Sequence, residues 1–450
     1  MTSSVPSYLS PRPTSVALRP YTFPEVRDLS LDGRRVLAAH MPGQRMAWIG
    51  LLIGSGALCD PDGLDGLARA TASMLDEGSE RRSADEFGTA VKSLGGKWKA
   101  ATDWESVQVS VEVPAVEARA AADLLAEAVY EPAFTDRDTE RFLADLAAGK
   151  RKASARPGRR ANLAFRSALY GDDHRLGRFV GGDASSVASI TPESVRSWYA
   201  THLRRAGSLL VVGDLNCLDI EGLASTVLGD LPSTANEPFA APTPVTDRLS
   251  RLVVKDRPGA VQSNVRIGHA APSRHRAAEL GLDVMAINIG STILGGTISS
   301  RLNQELREIK GYTYGVYAGF DFTRPSGFFA VTSEVRTDKT SAAVMDALRI
   351  IEEFVDDGAT GEEFEVARAY LAGATPIGLQ TAAEVGGHLV EIVRHDLPTD
   401  YVTQEHAGML HVSLGEVNAA IRNALHPGRL MVAVEGDVSV IGAGLAKLGL

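Results

Sequence analysis

The sequence predicts an α+β protein built from two homologous α/β-sandwich halves, and three observations carry that prediction. The apolar stretches "GSLLVVGDL" and "GRLMVAVEGDV" both read as buried strands ending in Gly-Asp, with Gly213 and Gly436 standing 223 residues apart. In both halves a strand ending in Glu-Val precedes a helix, and Val113 and Val335 lie 222 residues apart. An offset that stays constant over such a distance marks an internal duplication. Between the two copies, "LPSTANEPFAAPTPVTDRLSR" is rich in Pro, Ala and Thr and has no hydrophobic period, as a linker should be. The expected boundaries are an arm at 1–27, a first half at 28–231, a linker at 232–248 and a second half at 249–450.

Taken in order, the N-terminal stretch lacks the apolar segment of a secretory signal. Five prolines (Pro6, Pro11, Pro13, Pro20 and Pro24) disfavour an amphipathic targeting helix, so an extended arm is expected. "RRVLAAH" and "MAWIGLLIGSG" read as strands leading into a helix at Gly66. "SADEFGTAVKSLGG" reads as a second helix stopped by Gly95 and Gly96. "SVQVSVEV" alternates with period two, the pattern of a half-buried strand. Helices then run to about His202. In the second half, "LVVKDRPGAVQSNVRIGHAAP" reads as paired strands and "LDVMAINIGSTILGG" as an apolar helix. "GVYAGFDF" with "GFFAVTSEV" reads as a hairpin.

Composition excludes several classes. A net charge of −10 without a long Lys/Arg run argues against nucleic-acid binding. No stretch reaches 18 uninterrupted apolar residues, so no membrane span is expected. Cys59 and Cys217 stand alone outside any CxxC pattern, which fits a reducing cytoplasm.

Four stretches point further: "LDGRRVLAAHMPGQRMAWIGLLIGSGALCDPDGLDGLA", "YEPAFTDRDTERF", "ALYGDDHRLGRFVGGDASSVASITPESVRSWYATHL" and "LGGTISSRLNQELREIKGYTYGVYA". They resemble the M16 metallopeptidases (insulinase, pitrilysin and mitochondrial processing peptidase), in particular the short bacterial M16B members, from about residue 28 onward. The resemblance implies the LuxS/M16 metallopeptidase-like fold, with this chain forming one half of a clamshell. Family chemistry uses an HxxEH helix, in which two His four apart bind zinc and the Glu acts as general base. Matching that element to Gly66, Leu67, Ala68 and Met74 places the His positions at Arg69 and Ser73 and the Glu at Ala72. The later acidic pair falls near Phe142 and Gly149. None of these binds zinc, and Arg69 is a cation where a dication would sit. His388, Glu391 and His395 are poor substitutes, because His at i and i+7 stand about 10.5 Å apart along a helix.

The second half keeps more of the pattern. "SSRLNQELREIKGYTYG" resembles the family's Arg/Tyr element, which implies that Arg307 and Tyr314 reach substrate, with Tyr312 as the neighbouring candidate. A Tyr hydroxyl can donate to a developing oxyanion, and a guanidinium can fork onto carbonyls or a carboxylate. The plain alternative is a surface Arg and a Tyr packed at a strand end. Gly295 and Gly296 match a family Gly-rich turn: a tight helix break is the simpler account, a substrate-admitting loop the other. His174 reads as a hydrogen-bonding residue near a turn. Lys97, Trp98 and Lys99 lie where the family's edge strand pairs with extended peptide.

The resemblance therefore implies a non-catalytic subunit of a heterodimeric zinc peptidase. It needs no cofactor of its own, the zinc and HxxEH belonging to an M16B catalytic partner, and the substrate is an extended peptide, with leader-peptide removal one suitable task. The competing expectation is a catalytically inactive scaffold or peptide-binding homologue.

Overall fold

The computed structural model describes residues 18–229, 231–232 and 251–449. Residues 1–17 of the expected arm and 233–248 of the expected linker lie outside the described residues.

Eleven strands are described: β1 (Glu25–Leu31), β2 (Arg34–His40), β3 (Met46–Ile53), β4 (Lys97–Thr102), β5 (Val107–Pro114), β6 (Gly207–Gly213), β7 (Leu252–Asp256), β8 (Gln262–Ala271), β9 (Thr313–Phe322), β10 (Gly327–Arg336) and β11 (Met431–Gly436). They form two sheets, ordered β1-β2-β6-β3-β5-β4 and β7-β11-β8-β10-β9. Without β1, the two orders correspond strand for strand, and each contains one parallel pair, β2 with β6 and β7 with β11. Period-two patterning explains the faces. Val107, Val109, Val111 and Val113 of β5 are all fully or almost fully buried, whereas Gln108 and Glu112 are half-buried on the other face.

One expectation is corrected. "LVVKDRPGAVQSNVRIGHAAP" forms β7 and β8, but the two do not pair with each other; β11 lies between them and pairs with both. The first half does the same, with β6 between β2 and β3. A short turn around Gly259, at φ +72°, joins β7 to β8, and sequence proximity alone hid the strand that arrives from the far end of the half. The expected arm also ends earlier, since β1 already begins at Glu25.

Each sheet buries one face under its own helices. In the first half, the helix Ala84–Ser93 starts with a reciprocal cap between Ser83 and Glu86 and is followed by Gly95 at φ +65°. The opposite sheet faces are covered by an exchange. The helix Pro157–Tyr170, from the first half, packs on β8 and β11 of the second sheet. The helix Ala382–Arg394, from the second half, packs on β3 and β6 of the first. Val385, Leu389 and Val390 thereby join Trp48, Leu37, Leu52 and Leu210 in one core. Phe23, just before β1, is buried in the same core, and its N–H donates to Thr403 Oγ1 at 3.0 Å.

Polar contacts tie the halves at two further points. Glu435, fully buried on β11, pairs with Arg160 at 3.3 Å and Arg257 at 3.0 Å. Arg394 pairs with Asp103 at 2.6 Å. Among the described residues, no helix is long and apolar enough to cross a membrane.

Candidate functional site

The element that would carry zinc ligands is the short helix Leu67–Ser73. Gly66 enters it at φ +99°, and the N–H groups of Gly66 and Ala68 donate to the buried Asp60 carboxylate at 2.8 and 2.7 Å. Leu67, Ala68, Ala70, Thr71 and Ala72 face the core, which leaves Arg69 exposed and Ser73 half-buried on the remaining side. The donor set does not fit zinc: a guanidinium, a methyl group and a hydroxyl occupy the three positions. Among the described residues, no group of three or more His, Cys, Asp or Glu converges as a metal site.

What converges instead is positive charge. Lys150, one residue beyond Gly149 in the helix Asp136–Ser154, is turned inward and is only 9% exposed. A Cβ built on Gly181 would meet Lys150 Nζ at 2.6 Å and Arg69 Cδ at 2.7 Å, so both cations rest against that glycine. Burial, then Arg69, then Arg159, lowers the Lys150 ammonium to about 8. Arg159 stacks on Phe179 at 3.7 Å and donates to the Gly182 carbonyl at 3.3 Å. Burial lowers Arg166 and Arg266 as well. These cations line a cavity of about 420 Å³ at the junction of the two halves. Sequence reading missed all of them except Arg69, because they come from four separate elements and have no local spacing.

Arg307 and Tyr314 lie on the second sheet's edge. Ser300 stands at the start of the helical segment through Ile309, and Gly311 at φ +60° follows its end. Tyr314 is the second residue of β9 and is 90% exposed, while the Arg307 guanidinium lies 5.5 Å from its ring centre. Asn303, buried between them, sets this geometry. Its amide donates to the carbonyls of Thr297 at 3.0 Å and Val316 at 2.7 Å, and its oxygen accepts from Val316 N–H at 2.9 Å. The helical segment is thus clamped to β9. Tyr317, also exposed, pairs across to Thr332, a residue of the basic cavity's wall.

The other candidates are placed differently. Gly295 is buried, and a Cβ there would lie 2.5 Å from Ala318 Cβ on β9, so close packing against β9 requires the glycine. Gly296 sits half-buried against Thr292. Tyr312 is half-buried against the second core, with Lys310 over its ring at 5.9 Å. His174 accepts from Leu176 N–H at 3.1 Å and stacks on Tyr170. His395 and Glu391 pair at 3.2 Å within one helix. β4, containing Lys97, Trp98 and Lys99, is the first sheet's edge strand; Trp98 turns inward against Phe87.

Comparison with known proteins agrees with this geometry. The insulinase (peptidase family M16) model matches residues 35–171, and the model described as the peptidase M16 inactive domain matches residues 189–371. An uncharacterized zinc protease of Mycobacterium tuberculosis is 28% identical over 428 residues, covering 87% of this chain and 89% of the relative. A non-peptidase homolog of Helicobacter pylori is 25% identical over 333 residues, covering 73% and 74%. Among solved structures, the peptidase M16 inactive domain from Pseudomonas fluorescens superposes with a TM-score of 0.83 at 23% identity, over 92% of this chain and 98% of that one. A protease from Helicobacter pylori gives 0.79 at 16% identity, over 92% and 100%. With both of the family's domain models matched in order and the zinc-binding residue types missing from the helix Leu67–Ser73, this chain belongs to the M16 family as a short member that lacks the catalytic site.

Proposed function

We propose that this chain is the non-catalytic subunit of a heterodimeric M16B zinc peptidase and supplies Arg307 and Tyr314 to a partner's zinc site. The observation that supports the reading is the contrast between the two halves. The helix Leu67–Ser73 offers zinc nothing, while Tyr314 projects into solvent at 90% exposure beside the Arg307 guanidinium, held there by the Asn303 clamp. The Tyr314 ring lies outside the hydrophobic core. In this reading the Tyr314 hydroxyl donates to the oxyanion formed on an extended peptide, a contact typically worth about 2.7–4 kcal/mol. Arg307 holds a substrate carbonyl or carboxylate in register. Zinc and the general base belong to the partner.

The test is co-purification with an HxxEH-bearing homologue from the same genome, followed by peptide cleavage by each chain alone and by the mixture. Activity in the mixture only, falling at least tenfold with Arg307→Ala or Tyr314→Phe, supports the reading. A partner fully active alone, or variants without effect, overturns it. The second reading, an inactive scaffold or peptide-binding homologue, is favoured by one observation: Arg307 and Tyr314 already satisfy each other as a cation–π pair.

A further inference from the structure

The basic cavity has no role in that reading. Six cations line it, Arg69, Lys150, Arg159, Arg166, Arg178 and Arg266, and its wall contains no carboxylate, although the chain as a whole carries a net charge of −10. Arg178 is neutralised by Asp65 at 3.0 Å. Among the described residues, the other five have no ion pair, and the side chains of Lys150 and Arg69 have no hydrogen bond either. The acids near enough to be felt are otherwise placed. Asp183 accepts from the N–H groups of Ser185 and Ser186 at 2.8 and 2.9 Å, and Glu334 and Asp321 act on Arg266 and Arg166 without pairing with them. Like charges gathered around one cavity repel, two of them (Lys150 and Arg266) while buried, so the site gains from a ligand that supplies counter-charge. The depressed Lys150 ammonium is the same imbalance seen through a proton.

Two features narrow the ligand. Arg266 and Arg166 already donate to Asn162 and to the Leu176 carbonyl, but Lys150, Arg69 and Arg159 at one end of a cavity of about 420 Å³ call for several negative charges close together, which phosphates provide and an extended peptide does not, since same-face side chains on a strand lie about 7 Å apart. Apart from Asn162 and Thr332 the rest of the wall is apolar or aromatic, with Trp104 and Phe328 under the Arg166 guanidinium, and a volume of this size suits a small organic molecule. We propose that the cavity binds a small organic phosphate, its phosphate groups on Lys150, Arg69 and Arg159 and its flat or apolar body against Trp104 and Phe328. Because Arg266 and Phe328 come from the second half and Lys150 from the first, the ligand would also fasten the two halves together.

The experiment is isothermal titration of the whole chain with adenosine triphosphate, with inorganic tripolyphosphate and with a ten-residue Asp/Glu-rich peptide, at matched ionic strength. The same titrations are run on Lys150→Met and Arg69→Ala, with near-ultraviolet circular dichroism confirming that each variant is folded. Saturable binding of adenosine triphosphate, weakened at least tenfold in both variants, with tripolyphosphate at least threefold weaker than the nucleotide, establishes the site. Absence of saturable nucleotide binding, or equal binding by the variants, overturns it. Tighter binding of the peptide than of the nucleotide, lost in the same variants, also overturns it and assigns the cavity to acidic peptide. Each outcome is read on this chain alone, so it is independent of whether a catalytic partner exists.

Discussion

Trp48 on β3 and Gly386 on the helix Ala382–Arg394 are in face-to-face contact across the two halves: a Cβ built on Gly386 would lie 2.5 Å from Trp48 Cδ2 and Cε3. The exchanged helix can therefore sit on the first sheet only because this position has no side chain. Gly386→Ala is expected to destabilise the chain by about 1–3 kcal/mol, the usual cost of overpacking, even though Ala is the better helix former. The next residue is a built-in control. Gly387 is exposed and a Cβ there meets nothing within 4 Å, so Gly387→Ala should stabilise by about 0.5–1 kcal/mol. Urea unfolding of both variants checks the pair; two changes of the same sign would refute the contact.

That exchange also marks the limit of what the residues reveal before folding. The alternation in β5, the apolar runs of β6 and β11 and the constant offset between the halves were legible, because each depends on local period or on self-similarity. "AAEVGGHLVEIVR" shows an amphipathic helix but not which sheet it covers, since an apolar stripe fits either. The insertion of β11 between β7 and β8 is similarly non-local. At the site, Arg307 and Tyr314 were legible as a spaced motif, and structure set them in contact. Asn303 carries no signal in the sequence, because its role rests on four hydrogen bonds, two of which form only when the helical segment meets β9. Arg69 was legible as a cation at the lost zinc position, but its grouping with Lys150, Arg159 and Arg266 was not, for these positions meet only after the halves close.

His269 supplies a pH-dependent term. It is 2% exposed, its Nδ1 donates to the Ala270 carbonyl at 2.9 Å, and its Nε2 accepts from His426 N–H at 3.1 Å, which fixes a neutral ring. Burial lowers it to about 4, from an ordinary value of 6.5. Between those two pH values the unfolded chain takes up the proton and the folded chain does not, so stability falls as pH falls through that window and the term is fully present above it. His174, His202, His388 and His426 are lowered too, so the difference between wild type and His269→Gln isolates this ring. Wild type should lose more stability than the variant on going from about pH 7 to about pH 4.5 in urea unfolding. Parallel losses would contradict the assignment.

Lys150 gives the opposite window. Its ammonium is lowered to about 8 from 10.5, so between those values the unfolded chain holds the proton that the folded chain has shed. Stability contributed through this group therefore rises with pH from about 8 toward 10.5, and below about 8 the buried charge is a cost. Lys150→Met keeps the length of the side chain and removes the charge. It should raise stability near pH 7 by about 1–2 kcal/mol and abolish that rise in alkali. Thermal unfolding across this range reads both effects, and a variant less stable than wild type at pH 7 would show that Lys150 has a counter-charge after all.

Under the subunit reading, Tyr314 is kept for chemistry and Asn303 for shape. Tyr314 is 90% exposed, and its hydroxyl takes no part in the core, so Tyr314→Phe should shift stability by less than about 0.5 kcal/mol. Asn303 is 5% exposed and uses both ends of its amide to join the Arg307 segment to β9. Asn303→Ala leaves the Val316 N–H and carbonyl unpaired in the interior and should cost about 2–4 kcal/mol. The two variants then make opposite demands on the subunit reading. Tyr314→Phe should abolish most activity of a reconstituted pair in a chain that unfolds normally. Asn303→Ala should weaken the fold and lower activity only in proportion to the displaced Arg307. If Tyr314→Phe itself costs more than about 1 kcal/mol, the ring is a packing element and its exposure no longer argues for a substrate.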